Sequence, residues 1–529
     1  MEAGNKHNTY STLFHWHSFR LKLVFEGAAI GIFAGLLIVL YRFALEKAMS
    51  ILHLIYSNLA IKLYFIPVWI VILIIIGVIL SKIVNFEPMV SGSGIPQVEG
   101  VLLRKLKMSW WKVIIGKFFG GILAIGSGLS LGREGPSVQL GAAVGQGFSK
   151  IFKRVKLEEK FLITSGASAG LAAAFNAPLA GVMFALEEVH KNFSPLVLLS
   201  SLAAALSADY VSSGFFGLKP VFNIKSLTVI PLKEYLYIIV LGVILGGLGV
   251  LFNKSILKTQ GLYKRLKFIP EKYTIMLPLL ISVILGFVLP QVLGGGHELI
   301  EDILSADNIS ITFLVILFLG KFLFTMASYG SGAPGGIFLP LLSIGALIGG
   351  IYGYSVVTLF NLDTSFINNF IVLAMAGYFT AIVRAPITGI ILITEMTGSF
   401  NHLLSLAIVS ITAYIVADLL GSKPIYESLL ERILNKQGET VTGNKRHKSI
   451  LEFAICMGSE LDGKEIKDIK WPSQCLLVAV RRGEQEIIPG GNTVLLAGDY
   501  LIVLTNDDRV SKINASFARL IESSENPRH

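Results

Sequence analysis

The chain has 529 residues, of which 53% are hydrophobic and 15% charged, with a mean hydropathy of +0.69. Soluble domains carry about 25% charged residues, so this composition indicates a polytopic membrane protein and excludes a secreted enzyme or a nucleic-acid-binding domain. Two cysteines, Cys456 and Cys475, exclude a disulfide scaffold, and the net charge of +10 orients the chain in a bilayer rather than marking a nucleic-acid partner.

Along the chain, a basic N-terminal segment (1–22) precedes the first apolar run, which begins near Gly27 and is followed by many others, so no cleaved signal peptide is expected. Uncharged runs at Leu63 to Leu80, Phe161 to Leu186, Tyr235 to Asn253 and Tyr273 to Gly296 each reach the roughly 17–25 residues of a membrane-spanning helix. Basic clusters at Lys6, Arg20 and Lys22, at Arg104, Lys105, Lys107 and Lys112, and at Lys150, Lys153, Arg154 and Lys156 are expected on the cytoplasmic side. From Val441 onward the charges balance at 12 Lys+Arg to 12 Asp+Glu, against 33 to 23 before it. The basic excess therefore belongs to the membrane part.

Two cytoplasmic loops flank a stretch, 113–149, that is too short for two crossings. Its second leg, Pro136 to Ser149, gives roughly 21 Å of helix against a hydrocarbon core of about 30 Å. The sequence Gly126-Ser-Gly-Leu-Ser-Leu-Gly-Arg-Glu-Gly-Pro-Ser137 is thus expected as a glycine-rich break at membrane depth, leading into a helix. Irregular backbone persists there only when buried in protein or lining a wet cavity.

The break recurs. Gly116-Lys117-Phe118, Gly132 to Pro136 and Gly141-Ala142 reappear at Gly320-Lys321-Phe322, Gly336 to Pro340 and Gly345-Ala346, an offset of 204. Asn176-Ala-Pro-Leu-Ala-Gly181 with Glu187 matches Arg384-Ala-Pro-Ile-Thr-Gly389 with Glu395, at an offset of 208. Two halves, about 24–215 and 232–434, are built alike. Paired halves with interrupted helices point to a transporter whose substrate lies at their interface; the sequence alone leaves their relative orientation open.

A helix that starts at membrane depth presents unpaired N–H groups and the positive end of its dipole, which together form an anion site. Three such starts are expected: Gly92-Ser-Gly-Ile-Pro96, Gly132-Arg-Glu-Gly-Pro136 and Gly335-Gly-Ile-Phe-Leu-Pro340. Proline suits a first helical turn. The alternative, glycines that merely pack helices together, fits one such segment better than three. Ser93 adds a neutral hydroxyl, while Ile337 and Phe338 shape an amide-lined, partly dry site. Neutral donors suit a monovalent anion that must leave as well as enter, whereas phosphate or sulfate calls for several positive side chains.

Glu134 places a carboxylate within this anion site. It either pairs with Arg133 or competes with the anion for the helix-start amides, blocking the path when ionised and opening it when protonated. Glu187 and Glu188 end the run that starts at Phe161, and are read either as carboxylates reaching cytoplasmic water or as part of a proton path.

Residues 20–436 resemble the CLC family of chloride channels and proton/chloride antiporters. The resemblance rests on Gly92-Ser-Gly-Ile-Pro96, Gly132-Arg-Glu-Gly-Pro136, Gly336-Ile-Phe-Leu-Pro340 and Tyr426 within Gly421-Ser-Lys-Pro-Ile-Tyr426. It implies an all-α polytopic fold of two inverted repeats with broken, re-entrant helices over 23–436, and a homodimer with one pore per subunit. It further implies that Ser93 and Tyr426 hold chloride by their hydroxyls and that Ile337 and Phe338, with Gly135 beside them, contribute backbone amides. Glu134 becomes the external gating and proton-accepting glutamate. Glu188 becomes the internal proton-transfer glutamate, a carboxylate that channel members lack. Ser93 stands where nitrate-selective members carry proline, and the motifs diverge from those of the fluoride-exporting branch. Gln97 stands where some bacterial relatives have an acidic residue.

After a linker (437–447), residues 448–520 change character. Short strands are expected at Ile450 to Met457, Cys475 to Val480, Thr493 to Leu496 and Tyr500 to Leu504, giving a small α+β cytosolic domain. Leu461-Asp-Gly-Lys-Glu-Ile466, Val478-Ala-Val-Arg-Arg-Gly483, Ile488-Pro-Gly-Gly-Asn492 and Gly498-Asp-Tyr-Leu-Ile502 resemble the TrkA-C regulatory domain. That resemblance implies dimerisation and a small effector, in some members a cyclic dinucleotide. Arg481 and Arg482 are either phosphate contacts or a solvated hairpin end.

The expected function is exchange of chloride for protons across a bacterial inner (plasma) membrane, with both termini cytoplasmic and no cofactor or metal. A passive chloride channel is the alternative, which Glu188 opposes. A potassium transporter, suggested by the tail and by Ser328-Tyr-Gly-Ser-Gly332, is disfavoured because a carbonyl filter aims oxygens, not N–H groups, at the ion. A membrane enzyme finds no metal-spaced His/Glu set or nucleophile motif.

Overall fold

A computed structural model describes residues 9–222, 227–265, 270, 273–306, 308–436, 448–483, 485–506 and 509–521. The expected linker and the first eight residues lie outside them. The chain forms two compact units, Met1–Gln437 and Gly438–His529.

In the first unit the backbone satisfies its own polar groups by forming helices, as an apolar surrounding demands. The first half contains α1 (Thr9–Ile61), α2 (Ile66–Phe86), α3 (Ile95–Leu102), α4 (Trp110–Gly126), α5 (Glu134–Ile151), α6 (Lys156–Phe175), α7 (Pro178–Phe184) and α8 (Pro195–Phe216). The second contains α9 (Tyr235–Arg265), α10 (Met276–Val288), α11 (His297–Ser305), α12 (Ile311–Gly330), α13 (Phe338–Phe360), α14 (Phe366–Val383), α15 (Pro386–Thr397) and α16 (Leu403–Leu419); α17 (Ile425–Lys436) closes the unit. The halves correspond helix for helix. Among the described residues, eight helices are long and apolar enough to cross a membrane.

The break expected near Gly126 lies between α4 and α5, and its repeat lies between α12 and α13. Two of the four uncharged runs are not single spanning helices. Phe161 to Leu186 divides into α6 and α7 because Asn176 caps α6 in the left-handed conformation (φ 49°) and Pro178 starts the next helix. Tyr273 to Gly296 yields only the 13-residue α10, ended by a turn at Pro290 and the left-handed Gly294 and Gly296. That ending also supplies a repeat that matching of sequence motifs does not reveal. Gly92 and Gly94 (φ 63° and 97°) before α3 correspond to Gly294 and Gly296 (φ 62° and 98°) before α11, at an offset of 202.

Helices α5 and α6 pack at backbone contact. A Cβ on Gly141 would strike the Gly166 carbonyl, one on Gly166 the Gly141 carbonyl, and one on Gly170 the Ser137 carbonyl. Small residues permit this approach, and it holds the start of α5 against a rigid wall.

In the tail, β1 (Lys448–Ala454), β2 (Cys475–Arg482), β3 (Gln485–Ile487) and β4 (Tyr500–Asn506) form an antiparallel sheet in the order β1-β4-β2-β3. The expected strand at Thr493 to Leu496 is not in the sheet. Apart from one isolated bridge, Val494 to Glu465, that stretch makes turn contacts with residues 463–466, and β3 takes its place after the left-handed Gly483. Helix α18 (Val510–Ile521) covers one face, with Phe517 fully buried and stacked on Phe453 at 4.3 Å.

Backbone against backbone cannot yield, so Gly141→Val should destabilise the membrane unit by about 3 kcal/mol or more. Gly247 faces open space, with nothing within 4 Å of where an alanine methyl would sit, and should accept alanine within about 0.5 kcal/mol. Thermal unfolding of the two purified variants in detergent compares them directly.

Candidate anion and proton site

The two glycine breaks meet. Gly132 and Gly336, equivalent residues of the two halves, exchange both backbone hydrogen bonds, each N–H donating to the other's carbonyl at 2.7 Å. Reciprocal bonds between equivalent residues place a local two-fold relation at this point, and the antiparallel pairing makes the two chains run in opposite directions there, as inverted repeats require. The starts of α5 and α13 are thereby brought together. Their first-turn N–H groups, which the helices' own ladders cannot use, share one buried region.

Two buried lysines reinforce the same symmetry. Lys117 in α4 donates to the carbonyls of Val90 (3.0 Å) and Gly92 (2.6 Å), and Lys321 in α12 donates to those of Val292 (3.0 Å) and Gly294 (2.8 Å). Each ammonium ties down the glycine turn that precedes α3 or α11. The recurring Gly-Lys-Phe triplet is the sequence signal for these lysines, but it carries no indication that carbonyls are the partners.

Most of the anticipated anion-site residues converge. Ser93, Tyr426, Glu134, Ile337 and Phe338 are all buried. The Ser93 hydroxyl lies against Gly135 so closely that a Cβ there would collide with it, and the same Cβ would approach the Gly336 Cα at 3.3 Å. Tyr426, in α17, meets the Phe184 ring edge-on at 6.4 Å, and Phe184 meets Phe338 at 5.8 Å. The Ser93 and Tyr426 hydroxyls and both Glu134 carboxylate oxygens have no hydrogen-bond partner among the described residues. Unpaired buried polar atoms are costly, and here they cluster at helix starts. The Arg133 side chain comes no nearer to Glu134 than 3.9 Å and also faces Glu46 at 3.7 Å, so the adjacent pair is a loose one. A carboxylate oxygen of Glu134 instead occupies the space a Cβ on Gly132 would fill, next to the Leu339 amide.

Glu187 and Glu188 separate in the structure. Both belong to a π-helical turn, Ala185–His190, that continues α7; such turns are rare and occur often at functional sites. Glu188 is buried with Oε1 unpartnered, close to the ion pair of Lys191 with Glu99 at 2.7 Å. Glu187 accepts hydrogen bonds from the Ile387 and Thr388 amides at the start of α15. No motif in the sequence singles out Glu99 or Lys191. On the other side, a cavity of about 870 Å³ lined by Arg42, Glu46, His53, His297, Arg133 and Leu339 reaches the α5 break. It comes as near to Glu134 as the neighbouring Arg133, while Glu134 itself stays fully buried.

Comparison with known proteins identifies the family and the fold. A family model described as voltage gated chloride channel matches residues 72–418. The chain belongs to this family. The H(+)/Cl(-) exchange transporter ClcA of Vibrio campbellii is 41% identical over 379 residues, covering 70% of this chain and 81% of the relative. The crystal structure of a slow cyanobacterial Cl−/H+ antiporter superposes with a TM-score of 0.73 at 32% identity, over 79% of this chain and 99% of the other. A CLC-type fluoride/proton antiporter superposes at 0.64 with 27% identity, over 77% and 97%. The CLC fold accounts for the membrane unit. In the tail, residues 450–518 match the TrkA-C domain.

Within that domain both arginines read as effector contacts are engaged with carboxylates. Arg482 makes a two-pronged contact with Asp499, Nε and Nη2 each donating at 2.7 Å, and Nη2 also donates to the Val494 carbonyl. Arg481 donates to Glu452 at 3.1 Å and lies over the Tyr500 ring. Arg482 holds the Asp499 carboxyl below its ordinary range. A depressed carboxyl pKa contributes stability that is present above the unfolded value and is lost as pH falls through the folded one. The end of the central β2–β4 pair, where Arg482 meets Asp499, should therefore loosen below about pH 4. Asp499→Asn should bring that loosening to neutral pH, weakening the domain by about 1 kcal/mol after screening, measured as faster amide exchange at Leu496.

Proposed function

We propose that this protein is a transporter that exchanges chloride for protons across a bacterial inner membrane. The observation that carries the reading is Glu134: a fully buried carboxylate with no hydrogen-bond partner among the described residues, seated where two inverted helix starts meet, near the Ser93 and Tyr426 hydroxyls, which likewise have none. Chloride there takes hydrogen bonds from the two hydroxyls and from the amides at Gly135, Ile337 and Phe338, all neutral donors that allow release. Glu134 competes for the same amides when ionised and withdraws when protonated, which ties anion entry to proton uptake.

Glu188 supplies the second carboxylate that a proton path needs to continue toward the opposite face, and its presence favours exchange over a passive channel. Chloride is favoured over fluoride by the intact Gly-Arg-Glu-Gly-Pro motif and Tyr426, and over nitrate by Ser93. The reading includes a homodimer, basic loops and both termini in the cytoplasm, and control of transport by a small effector at the TrkA-C domain. Since Arg482 is held by Asp499, Arg481 is the freer of the two to meet an anionic effector such as a cyclic dinucleotide.

In proteoliposomes, an outward chloride gradient should drive protons uphill; chloride flux without proton movement would leave a passive channel in its place. Glu188→Gln should reduce proton flux to background while chloride flux stays within several-fold of the parent, and Glu134→Gln should abolish coupling by fixing the protonated shape. Coupled exchange persisting in both variants would overturn the assigned roles. Deletion after Lys436 should leave a transporter insensitive to effector, and unchanged regulation in the truncated protein would remove that role from the tail.

A further inference from the structure

Glu187 and Glu395, equivalent under the 208-residue repeat, each cap the opposite half's helix. Glu395 accepts from the amides of Leu179 (3.0 Å) and Ala180 (2.7 Å) at the start of α7. Glu187 accepts from the amides of Ile387 (3.3 Å) and Thr388 (2.8 Å) at the start of α15, and from the Thr388 hydroxyl at 2.7 Å. Both clamps satisfy first-turn N–H groups and place negative charge at the positive ends of helix dipoles.

The two clamps differ in what lies beside them. Glu395 is followed by Met396 and Thr397, which carry no titratable group, whereas Glu187 is followed directly by Glu188. Glu187 and Glu188 both sit in the π-helical turn Ala185–His190, a departure from the α-helical ladder of the kind found often at functional sites. Three hydrogen bonds to α15 fix one residue of that turn, and consecutive side chains on a helix diverge. Glu188 is thereby directed away from α15, into the buried position near Lys191 and Glu99 where its Oε1 has no partner.

We infer that Glu187 is a positioning residue of the proton path, which acts by being clamped to α15 and holding Glu188 inward, and that it does not itself carry the transported proton. The inference rests on the exchange reading given above. It assigns to the second half of the protein, through Thr388, a part in aiming the proton-transfer carboxylate of the first.

The full-length protein, reconstituted in liposomes, gives the proton-to-chloride ratio from simultaneous recording of both fluxes. Glu187→Ala should lower the ratio at least twofold with chloride turnover retained. Glu187→Gln keeps an acceptor oxygen for the amides and should restore most of the ratio. Glu395→Ala removes the equivalent clamp at the start of α7, the end of that helix opposite Glu188, and should leave the ratio at the parent value. Thr388→Val leaves the Glu187 charge in place while deleting one of its three donors, and should lower the ratio by a smaller amount; it also serves if Glu187→Ala does not fold. A parent-like ratio in Glu187→Ala or, should that variant not fold, in Thr388→Val would overturn the positioning role, as would Glu187→Gln losing coupling as fully as alanine, which would mark Glu187 as a proton carrier. Loss of coupling in Glu395→Ala to the same extent as in Glu187→Ala would overturn it too, by tracing the effect to the clamps in general. If the parent protein itself moves chloride without protons, the exchange reading fails instead, an outcome separable from all of these.

Discussion

The membrane unit depends on one constraint: backbone that leaves the helical ladder within an apolar surrounding must find its partners inside the protein. The chain meets it by pairing its irregular segments with each other. Gly132 and Gly336 bond reciprocally, Lys117 and Lys321 hold the carbonyls of the two glycine turns, and Glu187 and Glu395 take the amides of α15 and α7. Internal repetition makes this economical, since a bond that satisfies one half has a counterpart in the other. Among the buried polar atoms still left without a hydrogen-bond partner are the Ser93 and Tyr426 hydroxyls and both Glu134 carboxylate oxygens, which gather where the helix starts meet.

Symmetry in the scaffold coexists with asymmetry in the chemistry. Position 134 is a glutamate and its equivalent, 338, a phenylalanine; position 93 is a serine and its equivalent, 295, a glycine. Glutamates stand at both 187 and 395, yet only the first has a second carboxylate beside it. The repeat builds a cradle from two similar halves, and the departures from it put a carboxylate and a hydroxyl in one half where the other has a phenyl ring and a hydrogen.

Much of this arrangement was legible in the sequence because it depends on residues with few alternative uses. Glycine–proline breaks, a carboxylate in an apolar run and a motif that recurs at a constant spacing all carry strong physical restrictions. What stayed hidden depends on three-dimensional neighbours. The Gly92/Gly94 to Gly294/Gly296 equivalence has a different offset from the rest and rests on backbone torsion, not on matching side chains beyond glycine. Glu187 and Glu188 are chemically identical, and only the cap on α15 and the π turn distinguish them. Two uncharged runs of full spanning length are broken by Asn176 and by Pro290, because hydrophobicity measures how comfortable a segment is in lipid and says little about where its helix stops. In the tail, the alternating segment at Thr493 to Leu496 has the pattern of a strand, but its backbone bonds go to residues 463–466 in a single isolated bridge and not to the sheet.

The buried lysines have a further bearing on how the protein is made. Lys117 lies near the middle of a 17-residue helix and Lys321 near the middle of a 20-residue one, and a lysine at the centre of an isolated helix costs about 2.5–3.5 kcal/mol during insertion by the translocon. The carbonyls that stabilise each ammonium come from the turns that precede it in the chain, so they have already left the ribosome when the lysine emerges. Each lysine-bearing helix thus has the compensation for its charge in the segment synthesised just before it.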